Sequence, residues 1–378
     1  MTEKEAYIAL NMVQSVGAAT VGNGIERLGS AVKFFTASAA RLASVKGVSR
    51  AMADELATAF ATVDWQSEIA RAKAQNVKFL TPVDDDYPPL LRQIHYPPLA
   101  LYITGDPAAL CFASLAMVGT RSPTTYGLVN AKTFSYRLAQ SGICVVSGLA
   151  RGIDTEAHRG ALLAGGRTVA VIGSALDKLY PYENRGLARQ IVKSGGAVVT
   201  EYPFGRSADR QTFPMRNRII SGLSSAVLVV EAGVYSGTLI TVDHALEQGR
   251  SVMAIPGRID SAVAQGCHKL IKNGARLVET PEEVLDEMQT LPNAMAHPAP
   301  GAAAPTESQP AQRPKVVLDD VEKKIIEVLA DGEMTPDALV NATGLRAAVV
   351  SPRIVSLEMK CQLERTHGNV VRLRKNLL

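Results

Sequence analysis

The chain has 378 residues, 47% of them hydrophobic and 20% charged, a balance that excludes a mostly disordered polypeptide and at this length favours two or three domains. Lys+Arg 40 against Asp+Glu 36 leaves a net charge of +4. That excess excludes a histone-like polycation and leaves nucleic-acid binding open.

The amino terminus, Thr2-Glu3-Lys4-Glu5, lacks the basic-then-apolar order of a signal segment, and no run reaches the ~18 apolar residues of a spanning helix. A soluble, cytoplasmic protein without a membrane span is expected. Cys111, Cys144, Cys267 and Cys361 form no C-x-x-C pair, and three lie in or beside apolar runs. Buried thiols in a reducing compartment are therefore expected rather than a zinc site.

Residues 1–80 read as a small all-α domain. Helical patterns run over Glu5–Val13, Val21–Leu28, Ala31–Thr36, Ala39–Leu42, Ala51–Phe60 and Trp65–Gln75. Within it, Leu42 to Ser49 with Gly47 ahead of a helix resembles a helix-hairpin-helix element, which meets DNA phosphates through backbone N–H groups. An acidic, proline-rich passage, Asp84-Asp85-Asp86-Tyr87-Pro88-Pro89, then precedes a change of period.

From 81 to 290, short runs that are apolar at nearly every position alternate with helical segments. The expected strands are Leu99–Ile103, Leu115–Val118, Ile143–Val146, Thr168–Ile172, Ala197–Thr200, Ala226–Val230 and Ser251–Ile255. Strands buried on both faces read this way, and strand–glycine turn–helix repeated along the chain indicates a doubly wound, mostly parallel α/β sheet. Ligands of such sheets bind beyond the carboxyl ends of the strands, so the glycine turns are where function is expected.

Four turns stand out. Gly119-Thr120-Arg121 follows one strand and precedes a helix, where amide donors and a guanidinium fork suit phosphate oxygens. Its spacing is not G-x-G-x-x-G, so no dinucleotide fingerprint is present. Ser147-Gly148-Leu149-Ala150-Arg151-Gly152-Ile153-Asp154 offers a second set of donors, with Asp154 as a helix N-cap or a reacting group and His158 as a structural or site histidine. Gly173 ends a third strand. Arg206, Arg210, Phe213, Arg216, Asn217 and Arg218 interleave cations with an aromatic ring, a composition suited to single-stranded nucleic acid. Arg216 and Arg218 could equally pair with acids such as Glu201 or Glu231. Finally Ser236-Gly237-Thr238 forms another phosphate-type turn beyond Glu231. No second carboxylate, metal cluster or nucleophile–base pair accompanies Glu231 at readable spacing, so neither catalysis nor a cofactor is expected.

Leu291 to Pro314 holds six Pro and seven Ala and reads as an extended linker, 291–314. The tail, 315–378, reads as a winged helix. Its helices are expected at Leu318–Ala330, after Thr335-Pro336-Asp337 and at Arg346–Met359, with a hairpin about Gly368-Asn369. With ten Lys/Arg against nine Asp/Glu and only Arg346, Arg353 and Lys360 on its recognition helix, it suits duplex DNA or a protein partner equally.

Taken together, Gly119-Thr120-Arg121, Ser147 through Asp154 with Ala157-His158, Tyr180-Pro181-Tyr182-Glu183-Asn184, Glu201-Tyr202-Pro203, Phe213 through Arg218 and Ser236 through Thr241 resemble the DNA-processing protein A family (DprA, also called Smf). The resemblance covers about Pro88 to Val278. It implies an extended Rossmann-like homodimer, flanked by a SAM- or helix-hairpin-helix-like domain and a winged helix. It further implies a protein of natural transformation that binds single-stranded DNA, protects incoming strands and helps load the RecA recombinase. By the same resemblance Arg121 is the phosphate clamp, and Arg210 with Phe213 is a basic–aromatic pair at the DNA pocket. Thr120 departs from a serine frequent in the family, Tyr182 stands where some members carry a lysine, and His268 replaces a usual asparagine. A rival reading, a nucleotide-processing phosphoribohydrolase on a similar sheet, needs a Pro-Gly-Gly-x-Gly-Thr turn, where this chain has Tyr235-Ser236-Gly237-Thr238.

Overall fold

The computed structural model describes residues 1–291, 319–330, 332–359, 362–366 and 370–373. The chain forms two compact units, 1–302 and 303–378. Beyond Leu291, the segment expected as a linker lies outside the described residues.

The first unit opens with six helices, α1 (Glu3–Met12), α2 (Ala18–Leu28), α3 (Ala31–Phe35), α4 (Ala39–Leu42), α5 (Arg50–Thr62) and α6 (Trp65–Ala74). Thr2 and Glu5 form a capping box at α1, and Ser30, Ser49 and Asp64 cap α3, α5 and α6 with their side-chain oxygens, each satisfying an otherwise free amide. Their apolar faces meet around Leu10, Phe34, Leu42, Leu56 and Phe60.

Nine strands follow in the order β1-β2-β6-β5-β4-β3-β7-β8-β9. They are β1 (Lys78–Leu80), β2 (Leu101–Gly105), β3 (Ser114–Val118), β4 (Cys144–Ser147), β5 (Thr168–Val171), β6 (Ala197–Thr200), β7 (Ala226–Val229), β8 (Ser251–Ala254) and β9 (Arg276–Leu277). The pairs from β6 to β9 are parallel, whereas β2 runs antiparallel to both β1 and β6. The intervening helices are α7 (Pro89–Arg92), α8 (Thr125–Gln140), α9 (Ile153–Leu163), α10 (Arg185–Lys193), α11 (Thr212–Gly222), α12 (Thr238–Glu247), α13 (Gln265–Lys272) and α14 (Pro281–Thr290).

Both faces of the sheet are covered, as the unbroken apolar runs require. Leu115 and Met117 of β3 pack with Phe134, Leu138, Ala157 and Val284 of α8, α9 and α14. Their neighbours Ala116 and Val118 face Leu91, Ile219, Val242 and Cys267 of α7, α11, α12 and α13. The period-2 alternation of a strand thus feeds two apolar layers rather than one. β1 and β9, with three and two residues, fall outside the expected strands, and β1 joins the sheet although it precedes residue 81. β2 lies two residues later than its apolar run. Among the described residues, no helix is long and apolar enough to cross a membrane.

The second unit packs α15 (Asp320–Leu329), α16 (Pro336–Thr343) and α17 (Ala347–Met359) against a hairpin of β10 (Leu363–Thr366) and β11 (Val370–Leu373), around Ile325, Leu339, Ile354 and Val371. Asp319 and Glu322 form a capping box at α15, and Thr335 caps α16 with Pro336 in its first turn. Arg353, one of the cations expected to face a ligand, is paired with Asp319 at 2.7 Å. Lys360 and the Gly368-Asn369 turn lie outside the described residues.

Candidate nucleic-acid interface

The loops after β3, β4 and β5 and the start of α11 converge on a small cleft lined by Arg121, Gly148, Ala150, Arg151, Tyr180, Pro181, Phe213 and Arg216. It sits at the carboxyl ends of the parallel strands, where a doubly wound sheet places ligands.

The loop after β3 is fastened from below. Thr120 donates its N–H to the Glu231 carbonyl at 2.8 Å, while Thr124 donates its N–H and Oγ1–H to the two carboxylate oxygens of Glu231 at 2.9 and 2.5 Å. Thr124 then caps α8 through the Gly127 amide. Glu231 therefore spends both oxygens on holding a loop and is buried, which removes it as a free carboxylate for a hydrolytic role. Arg121, at the tip, is exposed, makes no ion pair among the described residues, and lies 4.8 Å from the centroid of the Phe213 ring, within reach of a cation–π contact.

The loop after β4 is wound around Asp154. Its carboxylate accepts the Gly148 N–H at 3.0 Å and the Ala150 N–H at 3.4 Å. Gly152, not Asp154, is the N-cap of α9, at φ +77°, and a Cβ there would press on the Thr120 carbonyl. Asn184 donates to the carbonyl of Leu149 at 2.8 Å, steadying a non-glycine residue held at φ 57°. Arg151 projects from this loop into solvent, paired with Glu183.

Arg216 is the buried member of the cleft, with 4% of its surface exposed. Its Nη1 donates to the Val171 carbonyl at 2.8 Å, and its Nε has no partner. Burial pushes the guanidinium down to about 10, opposed by the nearby Asp154 carboxylate. Burial in turn raises the Asp154 carboxyl, with Arg216 acting against it. Gly148 lies directly against this guanidinium; a Cβ there would collide with Nη1. Phe213, one turn ahead of Arg216, rests its ring on Gly173, where an added Cβ would stand 3.1 Å from Cδ1. The Tyr180 ring is 5.9 Å from that of Phe213, tilted by 52°.

The sequence-predicted residues thus divide. Arg121, Gly148, Arg151, Phe213 and Arg216 line the cleft; Gly119, Thr120 and Gly173 shape it from behind. Arg210 is exposed and, among the described residues, without an ion pair just ahead of α11, outside the lining. Ser147 requires a correction: it is 0% exposed and its hydroxyl donates to the Met117 carbonyl at 2.7 Å, so it ties two strands together. Arg218 requires another. It is buried, pairs with Glu201, and donates to the Tyr96 carbonyl at 2.7 Å, an internal clamp facing away from Phe213. Ser236, Gly237 and Thr238 close a turn on themselves, Ser236 Oγ lying 2.9 Å from Thr238 Oγ1, and Asn217 reaches the Gly237 carbonyl at 3.5 Å; none of the four lines the cleft. His158 is fully buried against Thr168. Tyr180 and Pro181, which the sequence offered only as part of the family resemblance and not as site residues, complete the lining.

The family model for DNA recombination-mediator protein A matches residues 78–289, and that for the DprA winged helix domain matches 309–369. Protein Smf of Escherichia coli strain K12 is 40% identical over 300 residues, 78% of each chain. DNA processing protein DprA of Streptococcus pneumoniae is 42% identical over 207 residues, 55% of this chain and 73% of that one. The crystal structure of Streptococcus pneumoniae DprA superposes with a TM-score of 0.63 at 32% identity, over 76% of this chain and 98% of that one. The Helicobacter pylori protein, whose structure was determined for its single-stranded DNA binding mode, gives 0.51 at 26% identity, over 56% and 96%.

Proposed function

This chain belongs to the DNA recombination-mediator protein A family, and from that premise we propose that the cleft at the strand ends binds single-stranded DNA without breaking a bond in it. The observation that carries this reading is the grouping of Arg121, Arg151 and Arg216 around the Phe213 and Tyr180 rings. A flexible strand can turn a phosphate toward the guanidinium groups and stack a base on an aromatic face, which a paired duplex cannot do without unstacking. Arg216, buried with an unpaired Nε, is pre-oriented for an anion, and Arg121 supplies an exposed second fork.

The wider role is that of the family. The chain protects incoming strands in natural transformation, helps load the RecA recombinase, and acts as a homodimer. Support for a dimer comes from two large apolar side chains left open to solvent, Tyr235 at 100% and Ile259 at 89% exposure.

Titration of oligothymidine by anisotropy tests the cleft. Arg121→Ala is expected to weaken binding by ~1–3 kcal/mol, the scale of a lost charged contact, and Phe213→Ala by ~1–3 kcal/mol through lost stacking. Unchanged affinity in both variants at low salt removes the cleft from the interface. Deleting residues 315–378 is expected to leave most single-strand affinity in place; its abolition transfers the function to the winged helix.

A further inference from the structure

The helical domain carries a second feature that the cleft does not use. From Arg27 to Ala53 the chain contains five cations, Arg27, Lys33, Arg41, Lys46 and Arg50, and no acid. All five are exposed, and none makes an ion pair among the described residues, whereas four exposed arginines of the sheet domain are paired, Arg151 with Glu183, Arg159 with Glu156, Arg258 with Asp260 and Arg276 with Glu287. The nearest acids in sequence, Glu26, Asp54 and Glu55, stand at the ends of the segment.

The fold gathers these charges. Asn23 of α2 donates its side-chain amide to the Lys46 carbonyl at 3.1 Å, which holds the Leu42–Ser49 turn against the face of α2 that, one turn later, presents Arg27. Gly47, at φ +85°, reverses the chain so that Lys46 and Arg50 flank the start of α5, the positive end of that helix. Lys33 Nζ stands at the carboxyl end of α2, beside Gly29.

We propose that this face is a second polyanion surface, separate from the cleft, that holds nucleic-acid backbone without reading bases. An excess of unpaired cations with no aromatic side chain among the exposed residues of 27–53 favours phosphate contacts over base stacking. The proposal rests on the single-strand reading only for its choice of nucleic acid as the polyanion.

The test uses the full chain carrying Arg27→Glu, Lys46→Glu and Arg50→Glu together, beside a control with Arg27→Lys, Lys46→Arg and Arg50→Lys. Three probes are titrated: an oligothymidine of about 6 nucleotides, sized for the cleft, one of about 40 nucleotides, and a duplex of about 20 base pairs. For one or both long probes the charge reversal is expected to lower affinity at least roughly tenfold and to flatten log K against log salt by ~2–3, near one per lost phosphate contact. The short probe should lose less than about twofold, and the control should match the parent protein. Unchanged affinity for both long probes overturns the proposal and leaves an acidic protein as the alternative occupant. An equal loss on the short probe also overturns it, since that reports a general change of field. Failure of the cleft reading looks different: the parent protein then fails to bind the short probe, while the response of the long probes still decides this surface.

Discussion

Gly148→Ala is expected to lower single-strand affinity by ~2–3 kcal/mol, the scale of a displaced charged donor, and to destabilise the fold by a further ~1–3 kcal/mol through overpacking. The added methyl would collide with Arg216 Nη1 and stand 2.7 Å from Asp154 Oδ2. Neither group can step aside cheaply. Asp154 is bound to the Gly148 and Ala150 amides, and Arg216 is buried with Nη1 on the Val171 carbonyl. The substitution therefore displaces the buried guanidinium without removing a charge, so a loss of affinity reports geometry rather than net electrostatics. Oligothymidine titration together with thermal melting checks both halves. A variant that melts lower and binds as tightly as the parent would take Arg216 out of the interface.

How far the cleft was legible follows from helix geometry. Phe213 and Arg216 are three residues apart and share a face of α11, whereas Arg216 and Arg218 are about 200° apart around the axis and cannot both face the strand ends. Composition alone groups all of these arginines; periodicity separates them once the helix is known to start at Thr212. Ser147 misled for a similar reason. A serine closing an apolar strand offers a donor, but here the hydroxyl points between strands, and only the neighbouring Met117 carbonyl decides that. The sheet itself was legible because seven of its strands are buried on both faces or nearly so. β1 and β9 were not, since two or three residues at an edge carry no period. Tyr180 reaches the cleft through tertiary packing against Phe213, for which spacing along the chain gives no signal.

Acidification from neutral pH is expected to cost stability through His158. Its imidazole is fully buried, and Nδ1 lies 2.7 Å from Thr168 Oγ1. That hydroxyl donates to the Val145 carbonyl at 2.6 Å, so it accepts from Nδ1–H, and the ring is the neutral Nδ1–H tautomer. Nε2 has no hydrogen-bond partner. Burial, with a smaller contribution from the positive Arg216, lowers its pKa to about 3 from the usual 6.5. Above 6.5 the ring is neutral in both folded and unfolded chains and contributes no pH dependence. As pH falls from 6.5 toward 3 the unfolded chain takes up a proton that the folded chain refuses, and stability falls by up to ~1.4 kcal/mol per pH unit. The raised carboxyls of Asp154 and Glu201 act in the opposite sense: the folded chain takes up their protons at a higher pH than the unfolded chain, so they favour the folded state progressively as pH falls from the raised values toward the unfolded values near 4. The histidine's own contribution by pH 5 is a loss of ~2 kcal/mol, separable from the carboxyls by removing the ring. Urea melts of the parent and of His158→Gln between about pH 7 and pH 5 isolate it, because the carboxyls are common to both: relative to the variant, the parent should lose about 2 kcal/mol by pH 5. Parallel curves for the two proteins would mean that the folded state accommodates a charged ring at this position.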